Sequence, residues 1–151
     1  MNEPNNEGLS SIVKTISKLV FGVILLFGLN ITAFGHLTPG GGFAGGVIIA
    51  IAFVLVLIAH GGKTALKLFP DLAASLTDNF GALLFFVIAA LALLYGGSFF
   101  QNYLPLGKPL ELFSAGVIPF CNLAIALKVG GSLYAILIAL AIYGRIVQKS
   151  N

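Results

Sequence analysis

The chain runs without a charged side chain from Leu19 to Phe34, from Phe43 to Ala59 and from Asn79 to Phe100. Between Leu112 and Gly144 it carries a single charge, Lys128. A helix crosses the hydrocarbon core of a bilayer in about 20 apolar residues, with a range of about 17–25. In lipid every backbone N–H and C=O must find its partner inside the protein, which leaves only helices and closed barrels as spanning structures. These continuous apolar runs show no period-2 alternation, so the expected fold class is an all-α membrane protein with four transmembrane helices. Composition agrees, since 58% of the 151 residues are hydrophobic and 9% charged, with a mean hydropathy of +1.05. Soluble domains carry about 25% charged residues. The 151 residues read as a single polytopic membrane domain, with no room beside four spans for an extramembrane catalytic domain.

The expected spans are 12–34, 43–59, 79–100 and 119–143. The polar segment Met1 to Ser11 has no apolar periodicity and reads as a tail. Span one opens with Lys14 and Lys18, one helical turn apart, where both can snorkel to the interface. A secretory signal peptide is the alternative for this segment, with Ala33 and Gly35 as small residues near a cleavage site. Its apolar run, however, exceeds the usual h-region of about 7–15 residues and another span follows at once. Pro39 and the triplet Gly40, Gly41 and Gly42 break the helix and predict a tight turn between spans one and two. Gly41/Gly45 and Gly42/Gly46/Ala50 stand at small-xxx-small spacing, which lets a neighbouring helix approach closely. His60 to Asp78 reads as a polar connection, with a short interfacial helix over Lys63 to Phe69 before Pro70. Gly96 and Gly97 lie near the end of span three, and Gln101 to Glu111 is a loop. The segment from Glu111 to Arg145 would extend about 50 Å as one helix, too long for a simple span. Leu112 to Ile118 is therefore expected to be non-helical or interfacial, with Pro119 in the first turn of span four.

Four spans put the two ends and the middle connection on one side. These segments hold Lys14, Lys18, Lys63, Lys67, Arg145 and Lys149, whereas the opposite loops hold only Lys108. By the positive-inside rule both termini are cytoplasmic and the chain sits in the cell membrane. This distribution, and the absence of interleaved basic and aromatic residues, excludes a nucleic-acid partner.

Lys128 is the sole ionisable group placed within a span. On a helix it shares a face with Cys121, Ala124, Ser132 and Ala135. An intramembrane charge faces protein or water, so Lys128 reads either as part of a proton or cation relay or as a structural or snorkelling charge, paired in the structural case with another subunit's carboxylate. His36 beside the turn can titrate near neutral pH or simply cap the turn. His60 has a weaker claim. Asp78 and Glu111 flank spans and read as solvated boundary carboxylates. The ion-pathway candidates are thus Lys128 and His36, while Pro39, Gly40, Gly41, Gly42, Gly45 and Gly46 are assigned to the turn and to helix packing.

Other chemistry is excluded. Gly40, Gly42 and Gly45 fit G-x-G-x-x-G, but no strand precedes them and no acidic residue follows before Asp71, so no dinucleotide cofactor is expected. Cys121 is the only cysteine, which rules out an intrachain disulfide or an iron–sulfur cluster. No catalytic constellation and no cluster of metal ligands is present in the sequence, so the chain is expected to be neither an enzyme nor a binder of cofactor or metal.

The run Gly35-His36-Leu37-Thr38-Pro39-Gly40-Gly41-Gly42-Phe43-Ala44-Gly45-Gly46 resembles the G-H-x-x-P-G-G-G-F-x-G-G hallmark of the MnhB/MrpB family, which supplies one of the membrane chains of the Mrp-type multisubunit sodium/proton antiporters. The resemblance implies a non-catalytic accessory subunit of a membrane arm that moves sodium ions and protons. Its partners would be the lipid bilayer and larger membrane subunits, which in this family resemble the proton-pumping arm of respiratory complex I. Related subunits occur in membrane-bound hydrogenases and sulfur reductases. Where the antiporter relatives tend to have an apolar last span entered by an aspartate, this chain has Asn122 and then Lys128, which favours the redox-linked relatives. A purely structural scaffold is the second reading. An independent small homo-oligomeric transporter is the third, disfavoured because the sequence shows neither internal repeats nor several intramembrane polar groups.

Overall fold

The computed structural model describes residues 9–95 and 97–150. Most of the polar N-terminal segment and Gly96 lie outside these residues, as do the side chains of Arg145 and Lys149. Five helices follow one another: α1 (Ser11–Ala33), α2 (Gly41–His60), α3 (Gly62–Leu68), α4 (Asp71–Leu94) and α5 (Ile118–Ser150). Among the described residues there is no strand. Four helices, α1, α2, α4 and the 118–144 part of α5, are long and apolar enough to cross a membrane.

The long helices pack in the order α1, α2, α5, α4, so α2 and α5 form the centre. In the most apolar stretch of α2, 44% of the residues are buried, against 11% in α1, whose surface is left almost entirely to whatever surrounds the bundle. Glycine periodicity explains how α2 serves two neighbours at once. Gly45 turns toward α1, where a Cβ would run into the Thr32 side chain and the Gly28 carbonyl. Gly42 and Gly46 turn toward α5, where a Cβ would overlap the backbone of Asn122 and Ala126 respectively. The same device brings α4 against α5: Gly81 of α4 lies on the backbone of Ala124 and Lys128, and Gly131 of α5 lies on that of Ala74 and Asp78.

The turn between α1 and α2 is tight, and Gly40 and Gly41 take φ of 133° and 70°, a region costly for residues with a Cβ. Gly41 and Gly42 belong to α2, which lengthens that span beyond the expected Phe43 start. The short helix expected before Pro70 is α3. It is tied to α5 by the buried Tyr134, whose hydroxyl lies 3.1 Å from the Ala65 carbonyl and 2.9 Å from the Phe69 carbonyl. Phe53 and Phe69 pack on the same ring.

The largest departure from expectation is α4. It starts at Asp71 and ends at Leu94, whereas the charge-free stretch predicts 79–100. Pro70 precedes the helix and Asp71 favours its positive end, so the start is set by local signals upstream of the apolar run. Two polar residues of the early turns bond back within the helix, Thr77 Oγ1 donating to the Ala73 carbonyl at 2.7 Å and Asn79 Nδ2 to that of Ser75 at 2.8 Å. After Tyr95 the chain leaves the helix and runs through turns to α5. Asn102 holds this segment, its side-chain oxygen accepting from the backbone N–H of Val117 at 3.1 Å. Residues 112–117 are turns, and Pro119 sits in the first turn of α5.

Candidate functional site

Lys128 pairs with Asp78, its Nζ 2.5 Å from Asp78 Oδ1. The partner is a carboxylate of the same chain, not of another subunit, so Asp78, read from the sequence as a boundary carboxylate, is paired across to α5. It lies in the second turn of α4, because that helix begins earlier than the charge pattern suggests. The Gly81 and Gly131 contacts set the crossing of α4 and α5 so that the two side chains meet. Ser132, one turn beyond Lys128, stands beside the same carboxylate. Lys128 also shares its face with Ala124 and Cys121, but Ala124 is fully buried and Cys121 packs against the Ile88, Val117 and Ala124 cluster.

The pair is open on its outer side, with half of the Lys128 side chain and 30% of that of Asp78 exposed. An ammonium has three N–H donors and a carboxylate about four lone-pair sites, so one mutual contact leaves most of this capacity unused. An apolar cavity of about 90 Å³ inside the bundle, lined by Leu29, Thr32, Ile49 and Phe53 and also by Thr77 and Leu127, the chain neighbours of Asp78 and Lys128, does not include either charged side chain. The charges are thus on the flank of the molecule.

His36 is held by a different element. Its Nε2 lies 3.2 Å from the backbone carbonyl of Glu111. A carbonyl only accepts, so Nε2 carries the proton and donates, and Nδ1 is buried without a hydrogen-bond partner among the described residues. His36 therefore ties the α1–α2 turn to the segment before α5 and is not brought to Lys128. Both His60 ring nitrogens are likewise buried without a partner among the described residues.

Asn122 is the residue whose role the sequence does not announce. The start of α2 has no cap from its own neighbours. Instead the Asn122 side-chain oxygen, from α5, accepts the Gly42 N–H at 3.2 Å. The Asn122 side chain lies where a Cβ on Gly35 would run into it, and it packs beside Gly41. The glycine-rich segment is thus a junction where the α1–α2 turn, the start of α2 and the first turns of α5 interlock. Pro39, Gly40 and Gly41 form its turn, and Gly42, Gly45 and Gly46 its two packing faces. No group of three or more potential metal ligands occurs among the described residues.

Residues 12–135 match the model of a domain related to the MnhB subunit of Na+/H+ antiporters. The chain belongs to the MnhB family. The hallmark junction, Asp78 and Lys128 all fall within the matched MnhB region. An uncharacterised protein of Methanocaldococcus jannaschii is 31% identical over 141 residues, covering 89% of this chain and 51% of that protein. A Staphylococcus aureus protein provisionally named antiporter subunit mnhB2 is 33% identical over 92 residues, covering 61% of this chain and 64% of its own length. This MnhB chain thus spans between half and two thirds of these relatives. A chain of the membrane-bound sulfane sulfur reductase, an archaeal respiratory membrane complex, has a similar structure, with a TM-score of 0.75 and 32% identity. The match covers 91% of this chain and 60% of that one.

Proposed function

We propose that this multi-pass membrane protein is a non-catalytic subunit of an Mrp-type cation/proton antiporter module. It helps to form the ion-translocating membrane arm, either alone with its antiporter partners or within a redox-driven ion pump. The observation that carries the reading is the MnhB match across residues 12–135, with the hallmark segment built as the junction that fixes α1, α2 and α5. The sulfur reductase chain, similar over 91% of this one, supports the redox-linked setting. Sodium ions and protons are the transported species at the level of the complex. Lys128 is the residue of this chain in the ion pathway, and His36 a second member at the α1–α2 turn. Both termini face the cytoplasm, as the distribution of Lys and Arg favours.

Mild-detergent purification from the native membrane, with mass spectrometry of the co-purifying chains and an assay for nickel and iron, tests the assignment. Antiporter-type membrane subunits are expected, with redox metals if a redox arm is attached. Recovery of the chain alone overturns it. Within the recovered complex, Lys128→Met, which nearly keeps volume and removes charge, is expected to abolish sodium or proton movement at normal assembly. Full transport by an intact variant complex removes Lys128 from the pathway, and a loss of transport that only follows a loss of assembly makes the pair a scaffold.

A further inference from the structure

The flank of the molecule that carries the ion pair holds further polar side chains, set among exposed apolar ones such as Leu72 and Leu76. On α4, Asp71, Ser75, Asp78 and Asn79 fall at i, i+4, i+7 and i+8 and so share a face, and Asp71, Ser75 and Asn79 are exposed. On α5, Lys128, Ser132, Ala135 and Ala139 fall at i, i+4, i+7 and i+11, a polar and small stripe on the face beside it. The two stripes run side by side. At the end of the span where α4 begins, an open groove of about 400 Å³ lies between them, lined by Asp71, Ala135, Ala139, Ile142 and Tyr143. Deeper along the same stripes, Asp78, Ser132 and Lys128 stand together.

Lipid cannot cover this surface at low cost. Asp78 lies about 10 Å along α4, and Lys128 about 15 Å from the start of α5 and about 24 Å from the end of its apolar part, at 1.5 Å per residue. Half of the Lys128 side chain and 30% of that of Asp78 are exposed, and hydrocarbon offers no partner for the donors and acceptors that Asp78, Lys128 and Ser132 do not satisfy among themselves. The α1 side is different: Val23, Leu26 and Phe27 are exposed there, and no charge occurs between Lys18 and His36.

We propose that the α4–α5 groove is one wall of a water-containing access passage for small cations or protons. It would lead from Asp71 to the Asp78–Lys128 pair and be closed by a transmembrane helix of a neighbouring subunit that presents polar side chains to it. This rests on the reading of the chain as part of an ion-translocating arm, but assigns the passage to the seam between two subunits instead of to the interior of either. Asp78 is its carboxylate, and Lys128 is the tethered cation that occupies that carboxylate when no other cation does.

The test uses the purified multisubunit complex with Cys121→Ser as background. Ser75→Cys and Ala135→Cys place a thiol on each stripe, and Val23→Cys places one on the α1 side. The probe is a water-soluble, positively charged methanethiosulfonate. Reaction at Ser75→Cys and Ala135→Cys, with Val23→Cys left unmodified, is expected. In parallel, a benzophenone side chain at Leu76, exposed beside the α4 stripe, is expected to cross-link to a transmembrane peptide of another subunit of the same complex. Thiols at Ser75 and Ala135 that stay unmodified, or a benzophenone that yields only lipid adducts, overturn the proposal. Ser75→Cys, an exposed and conservative change, keeps the test decisive if Ala135→Cys prevents assembly. Labelling and cross-linking are read without any transport assay, so a complex that proves not to exchange cations defeats the functional reading and leaves the seam to be judged on its own data.

Discussion

At the scale of single residues, the Lys128–Asp78 pair is where environment sets the energy. A pair open to water contributes at most about 1 kcal/mol. When such a pair is enclosed, removing one partner strands the other charge, at about 3–5 kcal/mol. A double-mutant cycle on Lys128→Met and Asp78→Asn, followed by thermal melting in detergent, is therefore expected to give weak coupling in the isolated chain and clearly stronger coupling in the assembled complex. Equal coupling in both would mean that nothing covers the pair. The lysine was legible in the sequence because a charge inside an apolar run has few innocent explanations. Its partner was not, because Asp78 sits beside Thr77 and Asn79 and looks like part of a connection until α4 is seen to start at Asp71. Asn122 is similar: one amide in an apolar span gives no sign that it accepts from Gly42, eighty residues earlier in the chain.

At the scale of helices, glycine decides spacing. Gly42 and Gly22 are both helical, but a Cβ at Gly42 would overlap the Asn122 backbone, whereas one at Gly22 would meet nothing within 4 Å. Gly42→Ala must push α2 and α5 apart and is expected to destabilise the chain by about 1–3 kcal/mol, the usual cost of overpacking. Gly22→Ala in the isolated chain is expected to be neutral or to stabilise by up to about 1 kcal/mol through helix propensity. Melting temperatures of the two variants in the same detergent separate these outcomes, and similar losses for both would show that glycine content, not its contacts, is what matters. The small-residue spacing around Gly41 to Ala50 could be read in advance as a close-packing signal. Which glycine meets which neighbour could not, since α2 uses one glycine row for α1 and another for α5.

At the scale of the whole molecule, helix order and charge combine into a topology. With Cys121→Ser as background, cysteines replacing Thr64 and Lys108 should be modified from opposite sides of the membrane, Lys108→Cys by an impermeant thiol reagent added to intact cells. Modification of Thr64→Cys under those conditions would invert the orientation proposed from the basic residues. By itself the sequence determined the number of spans and the all-α class, because apolar length and the need to satisfy backbone polar groups in lipid leave few alternatives. It also marked the hallmark turn, through local residues whose backbone preferences act at short range. Only the tertiary structure decided that α2 and α5 are central, that Asn122 closes the junction, and that Lys128 meets Asp78 on an open flank. Each of these depends on which helix faces lie together, and hydropathy carries little information about that choice, least of all in α2, which is apolar on all sides.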